Sequence, residues 1–287
     1  MLELLANHTC YGGAQRIYKH ESKVIGLPMR FAVYLPPQAT QGADAAEVKV
    51  PALFYLAGLT CTEETFPIKA GAQRFAAQHG IALIAPDTSP RGAGIPGESA
   101  AWDFGVGAGF YVDATEEPWS KHFRMYSYVR DELRETVLAN LPVDGERLGI
   151  FGHSMGGHGA LMLALRNPQI YRSVSAFAPI AAPSIAPWGE KAFGGYLGQD
   201  REAWKAYDAS ELVANTSHKF AEGILIDQGL SDQFLSEQLY PDVFEAACHA
   251  AGQPLMLRRH VGYDHGYFFI STFIEDHIAH HAKVLLA

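Results

Sequence analysis

Ser154 sits in Gly152-His153-Ser154-Met155-Gly156, between the apolar run Arg147-Leu148-Gly149-Ile150-Phe151 and the small-residue run Gly157-His158-Gly159-Ala160-Leu161-Met162-Leu163-Ala164-Leu165. The first run reads as a short buried strand and the second as a helix ending before Pro168. Strand, Gly-x-Ser-x-Gly and helix in that order describe a tight turn that lifts a hydroxyl above a sheet edge. The glycines are required because a side chain two positions either side of the serine has no room. The chemistry implied is attack by a serine hydroxyl on an acyl carbon.

A serine hydroxyl is a poor nucleophile at neutral pH. It needs an imidazole to take its proton, and a carboxylate to fix that imidazole's tautomer. On an α/β-hydrolase scaffold these partners follow the serine in the order Asp, His, each in a loop after a strand. Asp232, in Gly229-Leu230-Ser231-Asp232, follows the strand-like Ile224–Asp227, and His265, in Gly262-Tyr263-Asp264-His265-Gly266, follows Leu255–Arg259. Asp227 competes with Asp232 but ends its strand, where it caps a turn. His260 competes with His265, which is favoured by the glycines around it. His153 and His158 flank the serine too closely in sequence to reach its hydroxyl and read as packing residues. The oxyanion formed on attack needs two N–H donors. Met155, after the nucleophile, and Leu59, in Ala57-Gly58-Leu59-Thr60-Cys61-Thr62, are the candidates. Cys61 would then lie close to the site, either as a small buried residue or as a reactive thiol.

The elements that must position these residues alternate between strand and helix. Phe31–Leu35, Ala52–Leu56, Ile81–Ala85, Leu148–Phe151, Val174–Ala178, Ile224–Asp227 and Leu255–Arg259 read as strands, several of them continuously apolar. Helical spacing covers Arg130–Leu141, Tyr240–Ala251 with Gly252 as its stop, and a last helix from about Phe269 into the 280s. The expectation is one α/β domain over residues 1–287, a mostly parallel sheet with helices on both faces. The stretch 87–124 is rich in glycine, proline and aromatics without periodicity, and is expected to be an active-site wall. His277, His280 and His281 raise the question of a metal, but a solvated face of a terminal helix accounts for them, and no metal is assigned.

The 287 residues carry a net charge of −9, with 48% hydrophobic and 18% charged residues. This balance argues against nucleic acid as a partner. No apolar run approaches a membrane span and the N-terminus has no convincing signal peptide. Three cysteines without metal-type spacing suit a reducing compartment, so the expected location is the cytoplasm. Nothing in the sequence sets the oligomeric state, although homo-oligomers are the common soluble case.

With these residues placed, the chain resembles the S-formylglutathione hydrolase (esterase D) family over nearly its whole length. The resemblance is carried by Phe31–Pro37, Gly58–Thr62, Pro86–Gly92, Trp102–Thr115, Pro118-Trp119, the elbow, Asp227–Gly229 with Asp232–Leu235, and Tyr263–Phe269. It implies hydrolysis of S-formylglutathione to formate and glutathione through a formyl-serine, without metal or organic cofactor, and activity on simple esters. A small acyl pocket narrowed by Trp102 and Trp188 would suit a formyl group, although either indole alone reads as packing. Acidic residues of 103–117 for the glutathione amine, and Lys121 and Arg124 for its carboxylates, are candidates without assignment.

Overall fold

The computed structural model describes residues 2–40 and 48–287, and one sheet runs through them. Its strands are β1 (Glu3–Cys10), β2 (Gly13–Glu21), β3 (Pro28–Leu35), β4 (Val50–Leu56), β5 (Ala82–Pro86), β6 (Val143–His153), β7 (Ser173–Phe177), β8 (Ile224–Gly229) and β9 (Leu255–His260). They lie in the order β1-β2-β3-β5-β4-β6-β7-β8-β9. β1, β2, β3 and β5 pair antiparallel in turn, and from β5 to β9 every pairing is parallel. The expected α/β architecture with a mostly parallel sheet is present. The strands read from apolar runs all appear, and the central ones do so because strands covered on both faces keep no polar face: every residue of β4, β5 and β7 is buried.

Several elements were not anticipated. The β1–β2 hairpin extends the sheet at its antiparallel end. The helices Pro187–Tyr196 and Ala209–Asn215 follow β7. The helix expected at Arg130–Leu141 begins earlier, at Met125, and passes through a π-helical stretch, Tyr128–Leu133, before its regular part Arg134–Asn140. Between Asp87 and Arg124 the chain forms only isolated bridges, Ala101 with Phe104, Gly105 with Ala108, and Asp113 with Arg124. The last helix, Tyr267–Leu285, lays Ile270, Ile274, His277, Ile278 and His281 against the sheet. That spacing of three and four is one helical face.

Candidate active site

Ser154 joins β6 to the helix Met155–Arg166. Its backbone is at φ +57°, ψ −120°, a conformation that costs a non-glycine residue roughly 1–3 kcal/mol. Its surroundings hold it there. Ser154 N–H donates to Phe177 O at 3.0 Å, and its own carbonyl accepts from His158 N–H at 2.9 Å and Ile180 N–H at 3.2 Å. The two glycines are sterically obligatory. A Cβ on Gly152 would stand 2.2 Å from Gly156 O, and one on Gly156 would stand 1.9 Å from Leu56 O.

Asp232 and His265 arrive from neighbouring strands. β8 and β9 pair in register from Ile224 with Leu255 to Gly229 with His260, and the loops beyond them stay tied. Leu230 N–H donates to His260 O and Ser231 N–H to Tyr263 O, each at 2.9 Å. Asp232 is then fixed by a bond from Phe234 N–H to Oδ1 at 2.8 Å and from Gln228 Nε2 to Oδ2 at 3.3 Å. His265 Nδ1–H meets Oδ2 at 2.5 Å. That bond leaves His265 Nε2 as the proton-accepting nitrogen. Ser154 and His265 line a single cavity of about 210 Å³. Leu59, Cys61, Trp102 and Trp188 line it too.

The two candidate donors have the right backbone. Met155 is the first residue of its helix, so its N–H has no intrahelical acceptor. Leu59 N–H has no acceptor among the described residues, although its neighbours are held: Thr60 N–H by Gly107 O at 2.9 Å and Cys61 N–H by Gly58 O at 3.3 Å. Thr88 Oγ1–H and Arg91 Nη2–H brace the same loop through Cys61 O, at 2.6 and 3.2 Å. Burial pushes the Cys61 thiol up, so it is held protonated.

The wall opposite is aromatic. Trp102 meets Trp188 edge-on at 5.5 Å, and Trp188 meets Phe234 at 4.7 Å. Phe234 and His153 line the cavity and were not anticipated there. Phe234 is two residues from Asp232, and that proximity was the one available signal. His153 lies 4.4 Å from the His265 ring, and burial together with His265 holds its pKa well below the ordinary value. It is therefore a neutral plate against which the second imidazole rests. His158 Nε2–H donates to Phe110 O, 2.9 Å away, and burial pushes its pKa down to about 4.

The structure separates the competitors. Asp227 lies inside β8 rather than capping a turn, and it is wholly buried. Arg258 grips it through Nε at 2.6 Å and Nη2 at 2.5 Å, and His260 and His277 stand at 3.1 and 3.3 Å. Burial pushes this carboxyl up, but hydrogen bonds from His277, Arg258 and His260 outweigh it and hold it well below the usual range. The solvated-face expectation for the C-terminal histidines is wrong. His277 and His281 are fully buried, bonded to Ser175 and to Ser173 and Ser175 respectively, because the face they share is the one turned to the sheet. Among the described residues no group of three or more His, Cys, Asp or Glu is disposed to hold a metal.

Residues 22–280 match the family model described as "Putative esterase". The chain is 57% identical over 287 residues to the S-formylglutathione hydrolase of Mus musculus, covering 100% of this chain and 99% of that protein. It is 53% identical over 276 residues to that of Arabidopsis thaliana, covering 96% and 95%. A solved S-formylglutathione hydrolase from Agrobacterium tumefaciens superposes with a TM-score of 0.93 at 47% identity, with 99% of each chain covered. The chain belongs to the esterase family of the S-formylglutathione hydrolases.

Proposed function

We propose that this protein is a serine thioesterase that hydrolyses S-formylglutathione to formate and glutathione, the step that clears formaldehyde once it has been captured as a thioester. The observation that carries the reading is the Asp232–His265 pair at 2.5 Å, with His265 and a strained Ser154 lining one cavity, in a chain related along its whole length to enzymes of that name. Ser154 Oγ attacks the formyl carbon while His265 Nε2 takes its proton, and Asp232 stabilises the imidazolium. Met155 and Leu59 N–H hold the oxyanion, with the helix dipole behind Met155 adding to the stabilisation. The C–S bond breaks, the departing sulfur takes the proton from His265, and water activated by the same imidazole releases formate from the formyl-serine.

Trp102 and Trp188 bound the acyl side of the cavity, and the 87–124 segment that supplies Trp102 acts as the active-site wall of a single domain. The partner is a small molecule; a net charge of −9 disfavours nucleic acid. Among the described residues no helix is long and apolar enough to cross a membrane. All three cysteines are unpaired, which supports the cytoplasm as the location. Assembly as a homo-oligomer is testable by light scattering.

The deciding assay compares kcat/KM for S-formylglutathione, S-acetylglutathione and p-nitrophenyl acetate. Clear preference for the formyl thioester is expected, and Ser154→Ala abolishes turnover of all three while folding normally. Equal or better turnover of the plain ester would make the protein a general carboxylesterase.

A further inference from the structure

A second cavity, of about 360 Å³, opens at the same edge of the sheet. β3 runs antiparallel to β5, so the start of β3 meets the end of β5, and the cavity sits over that junction. One loop separates it from the serine: Gly58–Cys61 face the first cavity, and Thr62–Glu64 face the second. The hydrolytic steps above use nothing in it.

Apart from Lys19 and the exposed Glu64, its charges fall into two kinds. Asp87 and Arg91 satisfy each other through two bonds, at 2.6 and 2.9 Å, and form a closed part of the wall. Glu63 and Arg30 are different. Glu63 is 2% exposed, yet its ionic contact is Arg30 Nη1 at 3.6 Å, too long for a hydrogen bond. The Arg30 guanidinium, half-exposed, donates no hydrogen bond among the described residues. Lys19 stands beside Arg30 across the β2–β3 ladder. Burial, with Asp87 nearby, pushes the Glu63 carboxyl up, against the opposing pull of a hydrogen bond from its own backbone N–H and of the Arg30 charge. A nearly buried carboxylate and a guanidinium that meets it only loosely, at 3.6 Å without a hydrogen bond, are complementary to a zwitterion that inserts between them, with its ammonium on the acid and its carboxylate on the fork.

We propose that this cavity is the subsite for the γ-glutamyl end of the glutathione leaving group, with Arg30 (and Lys19 beside it) taking the α-carboxylate and Glu63 the α-ammonium. The proposal rests on the S-formylglutathione reading. The reach is adequate. Arg30 lies near the start of β3, three strands from β6 and about 14 Å away at ordinary strand spacing, and its side chain supplies about 6 Å of that span from Cα to guanidinium. An extended γ-glutamyl arm spans about 9 Å from sulfur to its α-carbon at ordinary bond lengths. The cysteinyl sulfur stays at Ser154 while the arm crosses the rim at Thr60–Thr62. Lys121 and Arg124, the cations singled out from sequence, line neither cavity.

The test compares S-formylglutathione with S-formyl-N-acetylcysteinylglycine, in which an acetyl cap replaces the γ-glutamyl arm. Wild type, Arg30→Met, Arg30→Lys and Glu63→Gln are assayed, each preparation normalised by its p-nitrophenyl acetate turnover. Wild type is expected to favour S-formylglutathione over the capped thioester by about tenfold or more in kcat/KM, equivalent to about 1.4 kcal/mol. Arg30→Met and Glu63→Gln lose most of that preference through KM, and Arg30→Lys keeps part of it. Undiminished preference in both variants, or none in wild type between the two thioesters, overturns the subsite. Failure of the functional reading looks different: wild type would then favour the plain ester over both thioesters, and the subsite would fall with it.

Discussion

Asp227 and Asp232 lie a few residues apart, and replacing each by asparagine should produce opposite defects. In Asp232→Asn the side-chain carbonyl can still accept from Phe234 N–H, but the amide faces His265 Nδ1 as a donor. That favours the tautomer with the proton on Nε2, and Ser154 then has no base. The expected loss in kcat is roughly 10⁴-fold, as for tautomer-inverting changes in serine triads. Stability should suffer less, because one charge-assisted hydrogen bond is removed, costing about 1–3 kcal/mol.

Asp227→Asn should do the reverse. It breaks the two-pronged contact with Arg258 and weakens those with His260 and His277 at a wholly buried position. Breaking a buried ion pair costs ~3–5 kcal/mol. Arg258 is itself 29% exposed and keeps a second partner, Asp276, so part of its charge returns to water. A figure of about 2–4 kcal/mol is appropriate after that discount. Its rate, measured while folded, should stay within about fivefold of wild type because the carboxylate touches neither Ser154 nor His265. Urea unfolding by tryptophan fluorescence gives the stability, and p-nitrophenyl acetate turnover below the transition gives the rate. If folded Asp227→Asn lost activity as completely as Asp232→Asn should, the division of labour argued here would be refuted.

Gly156→Ala should yield no active folded protein, since its Cβ would stand 1.9 Å from a backbone oxygen and exceed the ~1–3 kcal/mol of ordinary overpacking; a soluble variant of wild-type stability would contradict the elbow geometry. Trp188→Ala should widen the cavity and shift ester preference from acetate toward butyrate by about tenfold, within the usual range for methylene discrimination, and an unchanged acyl-length profile would count against Trp188 as the acyl boundary. Acid should destabilise the fold. Burial depresses the folded-state pKa of His153, His158, His277 and His281. The unfolded chain therefore binds protons first, so this stability is complete above about pH 6.5 and is lost as pH falls toward the folded values, by up to about 1.4 kcal/mol per unit for each group. Urea midpoints at pH 8, 6 and 5 should decline, and a flat profile would defeat the assignment of neutral buried imidazoles.

What could be read in the sequence follows from the range of the physical constraint. The elbow was legible because its five-residue pattern is itself the signal, although only part of the crowding is local: a Cβ on Gly152 would strike Gly156 O, whereas one on Gly156 would strike Leu56 O of β4. β4, β5 and β7 were legible because a strand covered on both faces must be apolar throughout. The β1–β2 hairpin was not, since most β1 side chains are exposed and no buried face imposes an alternation. The helix Pro187–Tyr196 was hidden by Gly189, Gly194 and Gly195, whose low helical propensity is overridden by packing of its apolar face, including Trp188 against Phe234.

The C-terminal histidines show the limit most clearly. Their spacing correctly put 277 and 281 on one face, but a face carrying two imidazoles reads as solvated unless their partners are known. Those partners are Ser173 and Ser175, two hydroxyls on the same side of β7, about a hundred residues earlier in the chain. Each half of the network is anomalous alone: polar residues in a central buried strand, and histidines where a helix should be apolar. Together they satisfy one another's hydrogen bonds, which removes most of the penalty for burying either. A polar strand face and a polar helix face of matching length in one α/β chain are therefore themselves a prediction of contact, and here that contact seats the last helix under the strands that deliver Ser154 and Asp232.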